Sequence, residues 1–133
     1  MEKKINVEFA GNKKINATVG SHTVYTDQRP DFGGDGSAAE PFDLFLASLA
    51  TCAGVYAKGF CENRQIDTTN LGLSMACYYN AEEKRYDRIE FHLTLPDNFP
   101  EKYRSALLRS IDQCAVKKHM ITPPDFVTVV NEP

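Results

Sequence analysis

The chain has 133 residues, with 15 Lys and Arg against 18 Asp and Glu, and a formal net charge of −3. Its 42% hydrophobic and 25% charged residues are close to the globular average, which excludes a disordered, collagen-like or coiled-coil chain. Because nucleic-acid binding depends on clustered Lys and Arg, this mildly acidic composition argues against nucleic acid as a partner. We expect a single domain over residues 1–133, large enough to bury a core.

The first residues carry no pattern typical of export. Residues 1–5 lead directly into strand-like sequence, without the apolar region that follows the charges of a secretory signal. In a reducing compartment, cysteine is more often catalytic, redox-sensing or buried than part of a structural disulfide. The sequence therefore predicts a cytoplasmic location and four unpaired cysteines with one of those roles.

The N-terminal region reads as strands followed by a long loop. Alternating apolar residues around a Gly11-Asn12 turn predict two or three strands within residues 4–26. Residues 26–37 are too rich in Gly, Pro and Asp for a regular element, and loops of this length in compact domains are usually functional. We consider two roles for this loop: a mobile cover over a cysteine site, or a segment ordered by dimer contacts.

A long helix is predicted next, because Pro41 suits the first position of a helix. The apolar residues of segment 42–60 do not fall on a single stripe, so we expect this helix to be buried all round. Asp43, Lys58 and several small polar residues argue against a membrane span. Since one subunit of this size has little material to cover such a helix, we expect a homodimer with the helix at its centre.

The rest of the chain predicts a hairpin, a helix and a strand. Residues 71–79 and 89–95 alternate around a polar tip, as a hairpin with one inward face does. Pro100 opens a second helix, and a last strand is expected over residues 126–130. Four residues of that helix share one face: Tyr103, Leu107, Ile111 and Cys114. This order of elements predicts an α+β fold with antiparallel sheets.

Two motifs for cofactors are present only in part. The segment 34–39 has the form G-x-G-x-x-A, but a dinucleotide site needs that turn directly after a strand, and residues 29–32 are not strand-like. Cys114 and His119 have no second ligand pair at metal-binding spacing. His92 falls on an outward strand face, where a solvated histidine is expected. We therefore expect neither a nucleotide nor a metal.

The four cysteines differ in their predicted surroundings. Within one helix, Cys52 and Cys61 would lie about 13 Å apart along the axis and on opposite sides, so they cannot form a disulfide without unfolding it. Cys77 falls on the inward face of its strand as a small buried hydrophobe. Cys52 and Cys114 both fall on core-facing helical positions. Spacing alone leaves two interpretations open: a reversible redox pair, or two inert buried thiols.

Two segments resemble the signature of the OsmC/Ohr family. Residues 33–52 (GGDGSAAEPFDLFLASLATC) combine a glycine loop, a proline, an acidic residue and a Leu/Ala-rich helix ending in a cysteine, and residues 114–120 (CAVKKHM) resemble the second cysteine motif. The order of elements also matches, so the resemblance covers essentially the whole chain. It implies an OsmC-like α+β fold, with antiparallel sheets around a long buried central helix in an intertwined homodimer.

The same resemblance implies a thiol peroxidase that reduces organic hydroperoxides in oxidative stress defence. Cys52 matches the attacking cysteine and Cys114 the resolving cysteine of the family. A dithiol would serve as reductant, and no metal or flavin is required. The competing hypothesis is a non-enzymatic protein that holds an apolar small molecule at the dimer interface, with the cysteines as part of its lining.

The chain also departs from the family pattern. Peroxidase members carry a Glu ten residues before the first cysteine, where this chain has Phe42 followed by Asp43, and an Arg in the first hairpin, where it has Asn12-Lys13-Lys14. Since that pair activates the thiolate, we expect slow turnover, with Arg29 and Asp43 as candidate supporting residues. Ala115 replaces a proline that commonly follows the second cysteine.

Overall fold

The computed structural model describes all residues, 1–133, and divides into two compact units, Met1–Ala47 and Ser48–Pro133. The strands are β1 (Ile5–Phe9), β2 (Ile15–Val19), β3 (His22–Thr26), β4 (Gly72–Asn80) and β5 (Arg85–Thr94). The helices are α1 (Pro41–Asn63), α2 (Arg104–Ile111) and α3 (Ala115–Ile121). Single 3-10 turns lie at Pro30–Phe32 and Glu101–Tyr103. The fold is α+β, with two antiparallel sheets and one long helix, as predicted.

The first unit contains a three-stranded sheet in the order β1-β2-β3. The predicted hairpin is confirmed, with Ile5 paired to Val19 and the turn made by Gly11 and Asn12, whose φ angles are +100° and +45°. Glycine and asparagine tolerate this left-handed conformation better than other residues. All residues of β1 are exposed within the chain, and Phe9 at its end is 83% exposed. The outer strand of this sheet therefore presents apolar side chains to its surroundings.

Asp27 organises the loop that follows β3. Its side chain is fully buried, and its carboxylate accepts hydrogen bonds from the Ser37 hydroxyl at 2.6 Å, the Ser37 N–H at 3.0 Å and the Gln28 N–H at 2.7 Å. The Ser37 hydroxyl, above all, lowers the pKa of Asp27 to about 2, because hydrogen bonds to a carboxylate favour its charged form. This carboxylate thus joins the two ends of the glycine-rich loop. The predicted mobility of the loop stays a prediction.

Helix α1 begins at Pro41, as predicted, and extends for 23 residues. Only one stripe of it is buried within the chain: Leu49, Ala53, Ala57, Phe60 and Cys61. Val55, on another side, is 70% exposed within the single chain. Burial of the helix all round, which was expected with a partner subunit, stays a prediction. By length and composition α1 could span a membrane, with a mean hydropathy of 1.4, but the core helix of a soluble protein meets the same criteria. In this fold α1 is the core helix.

Strands β4 and β5 form the second predicted hairpin and pair antiparallel over their whole length. Leu73, Met75 and Cys77 are half-buried, whereas Ser74 and Tyr78 are exposed, as expected of an inward and an outward face. Tyr79 was predicted to continue that face but is 58% exposed. The pairing is irregular at this point, because Tyr78 pairs with Arg88 and Tyr79 with Tyr86, which leaves Asp87 of β5 as an extra residue, as in a β-bulge.

The predicted second helix consists of two helices. Leu107 and Ile111 of α2 are buried, as their spacing predicted, and pack in the core with the buried stripe of α1. Cys114 is also fully buried, but it lies outside both helices, as the N-cap of α3 with φ −46° and ψ 122°. Hydrogen bonds from the backbone N–H groups of Gln113 and Cys114 form the turn that ends α2.

The predicted last strand is wrong for the isolated chain. Residues 123–133 form no helix or strand, and Phe126 is 88% exposed. A β-strand is stable only when it pairs with a neighbour, and no strand of this chain pairs with the segment. Its apolar residues are therefore left in contact with solvent.

Candidate active site

The structure brings Cys52 and Cys114 together. Cys52 lies near the middle of α1 and is partly buried, whereas Cys114 is fully buried at the start of α3. The Cys114 thiol donates a hydrogen bond to the sulfur of Cys52. Both are free thiols. Two cysteines far apart in sequence therefore lie close enough to shift each other's pKa.

The surroundings of Cys52 favour its thiolate. The hydrogen bond from Cys114 is the main cause that lowers the pKa of Cys52 below that of an ordinary thiol. Burial opposes this effect, whereas the backbone N–H groups of Val116 and Ala115 add to the lowering. A thiolate is the nucleophilic form of cysteine, so a lowered pKa increases the reactive fraction at neutral pH.

The surroundings of Cys114 favour its protonated thiol. Burial raises the pKa of Cys114, and its hydrogen bond to Cys52 raises it further. The Lys117 N–H donates to the Cys114 sulfur at 3.5 Å, which only partly offsets these effects. The pair is thus asymmetric: Cys114 keeps its proton and donates it in a hydrogen bond, and Cys52 accepts. That asymmetry supplies a nucleophile and, next to it, a second thiol.

The other two cysteines lie in different surroundings. Cys61 is fully buried in the core beside Phe60 and Leu107, and burial raises its pKa. Cys77 is partly buried on β4, opposite Ile89 of β5. A buried thiol with a raised pKa is a poor nucleophile at neutral pH. Cys61 therefore acts as a core residue.

The candidate supporting residues Arg29 and Asp43 belong to the first unit. The Arg29 guanidinium lies 3.9 Å from a carboxylate oxygen of Glu40 and 4.2 Å above the ring of Phe32. Asp43 is exposed in the first turn of α1, where a negative charge suits the helix dipole. Both contacts of Arg29 are local to its own unit. Assistance to Cys52 by either residue stays a prediction.

Histidine and acidic residues form no constellation suited to a metal. No three His, Cys, Asp or Glu side chains are grouped closely enough to hold a metal ion. The Nδ1 atom of His119 lies 2.6 Å from the carbonyl oxygen of Ala115, one turn earlier in α3. His92 is exposed and pairs with Glu90 at 3.0 Å.

Comparison with known proteins identifies the family of the chain. A family model described as OsmC-like protein matches residues 34–129, which include both cysteines and most of the chain. The chain belongs to the OsmC-like protein family. A search of curated proteins finds no match.

Solved structures of this family share the fold. A Psychrobacter arcticus 273-4 protein named for an osmotic stress induced and detoxification response is 22% identical, with a TM-score of 0.73 over 89% of this chain and 87% of that one. An OsmC like protein from Mycoplasma pneumoniae is 13% identical, with a TM-score of 0.72 over 92% and 89%. An organic hydroperoxide resistance protein OsmC from Legionella pneumophila is 15% identical, with a TM-score of 0.57 over 90% and 89%. At these identities the similarity shows the OsmC-like fold.

Sequence reasoning missed the groups that surround the cysteine pair. The backbone N–H groups of Ala115 and Val116 reach Cys52 only because α3 begins at Cys114. Cysteine is not a usual N-cap residue, so no capping signal marks this helix start. The only available hint is the three-residue spacing from Cys114 to Lys117, which matches the spacing of a side-chain cap.

Proposed function

We propose that this OsmC-like protein is a thiol peroxidase that reduces organic hydroperoxides, with Cys52 as the attacking and Cys114 as the resolving cysteine. The observation that carries the proposal is the hydrogen-bonded pair in which the pKa of Cys52 is lowered and that of Cys114 is raised. The name of the Legionella pneumophila relative, an organic hydroperoxide resistance protein, supports the choice of substrate class. A cytoplasmic location and a role in oxidative stress defence belong to the same proposal.

The proposed reaction has two chemical steps and one recovery step. The Cys52 thiolate attacks the terminal oxygen of the hydroperoxide, the O–O bond breaks, and the alkoxide leaves and takes up a proton to become an alcohol. Cys52 is then a sulfenic acid. The Cys114 thiol gives up its proton as its sulfur attacks the Cys52 sulfur, the S–O bond breaks, a disulfide forms, and the hydroxyl group leaves with that proton as water. An external dithiol reduces the disulfide by two thiol exchanges and becomes oxidised itself.

The structure suggests how the Cys52 thiolate is stabilised without the usual Glu and Arg of the family. Phe42 and Asn12-Lys13-Lys14 occupy the places of the family Glu and Arg, so that charge pair is missing from its usual positions. The peptide N–H groups of Ala115 and Val116 donate to Cys52 instead, together with the Cys114 thiol. Neutral donors stabilise an anion less than a guanidinium does. We therefore keep the expectation of slow turnover.

A homodimer is part of the proposal. Phe9 at the end of β1, Val55 on α1 and Phe126 near the C-terminus are 83%, 70% and 88% exposed. Large apolar side chains exposed in several places are typical of a subunit separated from its partner. A second copy of this chain is the occupant we propose for these surfaces. A folded monomer at low concentration in sedimentation velocity would contradict this part.

The direct test is consumption of an alkyl hydroperoxide in the presence of a small dithiol. The native chain should turn over and Cys52→Ser should not, because only the Cys52 thiolate attacks the O–O bond. After one equivalent of hydroperoxide and no reductant, Cys114→Ser should retain a sulfenic acid at Cys52, identified by trapping and peptide mapping. Cys77→Ser is the matched control, since it removes another partly buried thiol, and it should behave as the native chain.

Two outcomes would contradict the peroxidase. Turnover that survives Cys52→Ser would show that another group reacts with the hydroperoxide. A native chain in which neither Cys52 nor Cys114 is oxidised would favour the alternative, a binding protein for an apolar small molecule. Titration with a fluorescent apolar probe would then be the next measurement.

A further inference from the structure

The side chain of Lys117 is anchored on two elements of the second unit. Its ammonium Nζ lies 2.9 Å from a carboxylate oxygen of Asp112 and 4.7 Å from the centre of the Phe91 ring. Only 23% of the side chain is exposed, whereas Asp112 is 68% exposed. A lysine held between a carboxylate and an aromatic face has little freedom, because both contacts attract the same charge.

These contacts connect α3 to the rest of the unit. Asp112 is the residue that ends α2, Phe91 lies in β5, and Lys117 lies in the first turn of α3. Helix α3 has only seven residues, and none of them is buried. A helix this short is unstable unless other parts of the protein hold it. The Lys117 side chain therefore contributes to fixing where α3 begins.

The start of α3 also provides the hydrogen-bond donors that surround Cys52. The N–H of Lys117 donates to the Cys114 sulfur at 3.5 Å, and the N–H groups of Ala115 and Val116 lower the pKa of Cys52. Displacement of this turn would move all three donors together. Hydrogen bonds weaken steeply when distance or angle becomes unfavourable, so a small displacement is sufficient to matter.

We propose that Lys117 is a positioning residue, which holds the first turn of α3 so that the Ala115 and Val116 amides and the Cys114 thiol stay in hydrogen-bond contact with Cys52. This role rests on the proposed function, in which Cys52 is the nucleophile. Lys117 acts through the backbone, and its own N–H donates to Cys114 and not to the Cys52 sulfur that attacks the hydroperoxide. This role requires a cationic side chain that reaches both the Asp112 carboxylate and the Phe91 ring.

Besides Lys117, the titratable groups at this turn include His119, whose Nδ1 atom lies 2.6 Å from the Ala115 carbonyl oxygen. Cys114 is the titratable group that faces Cys52 from α3. Helix α2 contributes the Asp112 carboxylate, which Lys117 pairs, and Phe91 of β5 contributes no charge. Loss of the Lys117 cation would therefore leave one unpaired carboxylate beside the turn, and it would release the turn from β5.

The test is the pH profile of Cys52 alkylation by iodoacetamide, followed by peptide mapping in the full chain. Lys117→Met should shift the profile to higher pH and slow alkylation at pH 7 by about threefold to tenfold, since several hydrogen bonds to a thiolate are weakened together. Lys117→Arg should restore most of the native profile, because arginine keeps the charge and the aromatic contact. Lys118→Met, at the neighbouring exposed position, is the matched control and should leave the profile unchanged.

Asp112→Asn tests the same anchor from its exposed partner, where misfolding is not expected, and should shift the profile in the same direction. Native-like profiles in both Lys117→Met and Asp112→Asn would overturn the positioning role. A shift of equal size in Lys118→Met would also overturn it, because the effect would then come from charge alone. If the profiles respond as expected but the native chain consumes no hydroperoxide, the positioning role stands and only the peroxidase proposal fails.

Discussion

Replacement of Leu107 by Ala should destabilise the second unit by about 2–5 kcal/mol. The Leu107 side chain is fully buried in α2, where it packs in one cluster with Ala53, Ala57, Phe60 and Ile111. Loss of its three outer carbons forfeits about 2–3 kcal/mol of transfer free energy, at roughly 0.8 kcal/mol per buried carbon. The cavity left behind adds to this loss as far as the neighbours fail to collapse into it.

Leu108→Ala is the matched control, because it makes the same change in the same helix at the next position. The Leu108 side chain is 52% exposed, so about half of its surface is already in water. Alanine is also the better helix former, which offsets part of the remaining loss. We expect a change below about 1 kcal/mol for Leu108→Ala on these grounds.

The assay is urea unfolding at one fixed protein concentration, followed by circular dichroism at 222 nm. The free energy of unfolding is extrapolated to water for the native chain and both variants. Concentration must stay fixed, because dimer formation would make the apparent stability depend on it. Equal losses in the two variants, or a loss below about 1 kcal/mol for Leu107→Ala, would refute the assignment of Leu107 to a closely packed core.

Three further predictions concern the loop and the cysteine pair. The pKa of Asp27 is about 2, below its ordinary value. The contribution of this carboxylate to stability is therefore complete at neutral pH and is lost as pH falls from about 4 towards 2. Asp27→Asn should lower the free energy of unfolding at pH 7 and make it depend less on pH over that interval. Gly34→Ala should lower the melting temperature, with a cost of about 1–3 kcal/mol, because a Cβ there would lie 1.9 Å from the Gln28 carbonyl oxygen; an unchanged melting curve would contradict this packing. Cys114→Ala should raise the pKa of Cys52 by removing its main hydrogen-bond donor, which alkylation rates measured against pH would show.

Local patterns in the sequence determined most of the elements and the choice of cysteines. Alternation of apolar residues identified both hairpins, because successive side chains of a strand point to opposite faces of the sheet. Pro41 marked the start of α1, because proline suits the first position of a helix. Leu107 and Ile111 fell on the buried face of their helix, because their spacing places them on one face. Spacing left Cys52 and Cys114 as a possible pair among four cysteines, and resemblance to family motifs implied their attacking and resolving roles.

Only the tertiary structure decided how those cysteines are surrounded. The hydrogen bond between Cys52 and Cys114 joins α1 to the N-cap of α3, and no usual N-cap residue marks the helix start that provides the Ala115 and Val116 amides. Burial of the Asp27 carboxylate and the anchoring of Lys117 likewise depend on partners outside their own element. Donor geometry and burial set the pKa of each thiol, and both arise only when separate segments pack together. The sequence can therefore indicate two candidate thiols, whereas their difference in acidity is a property of the folded chain.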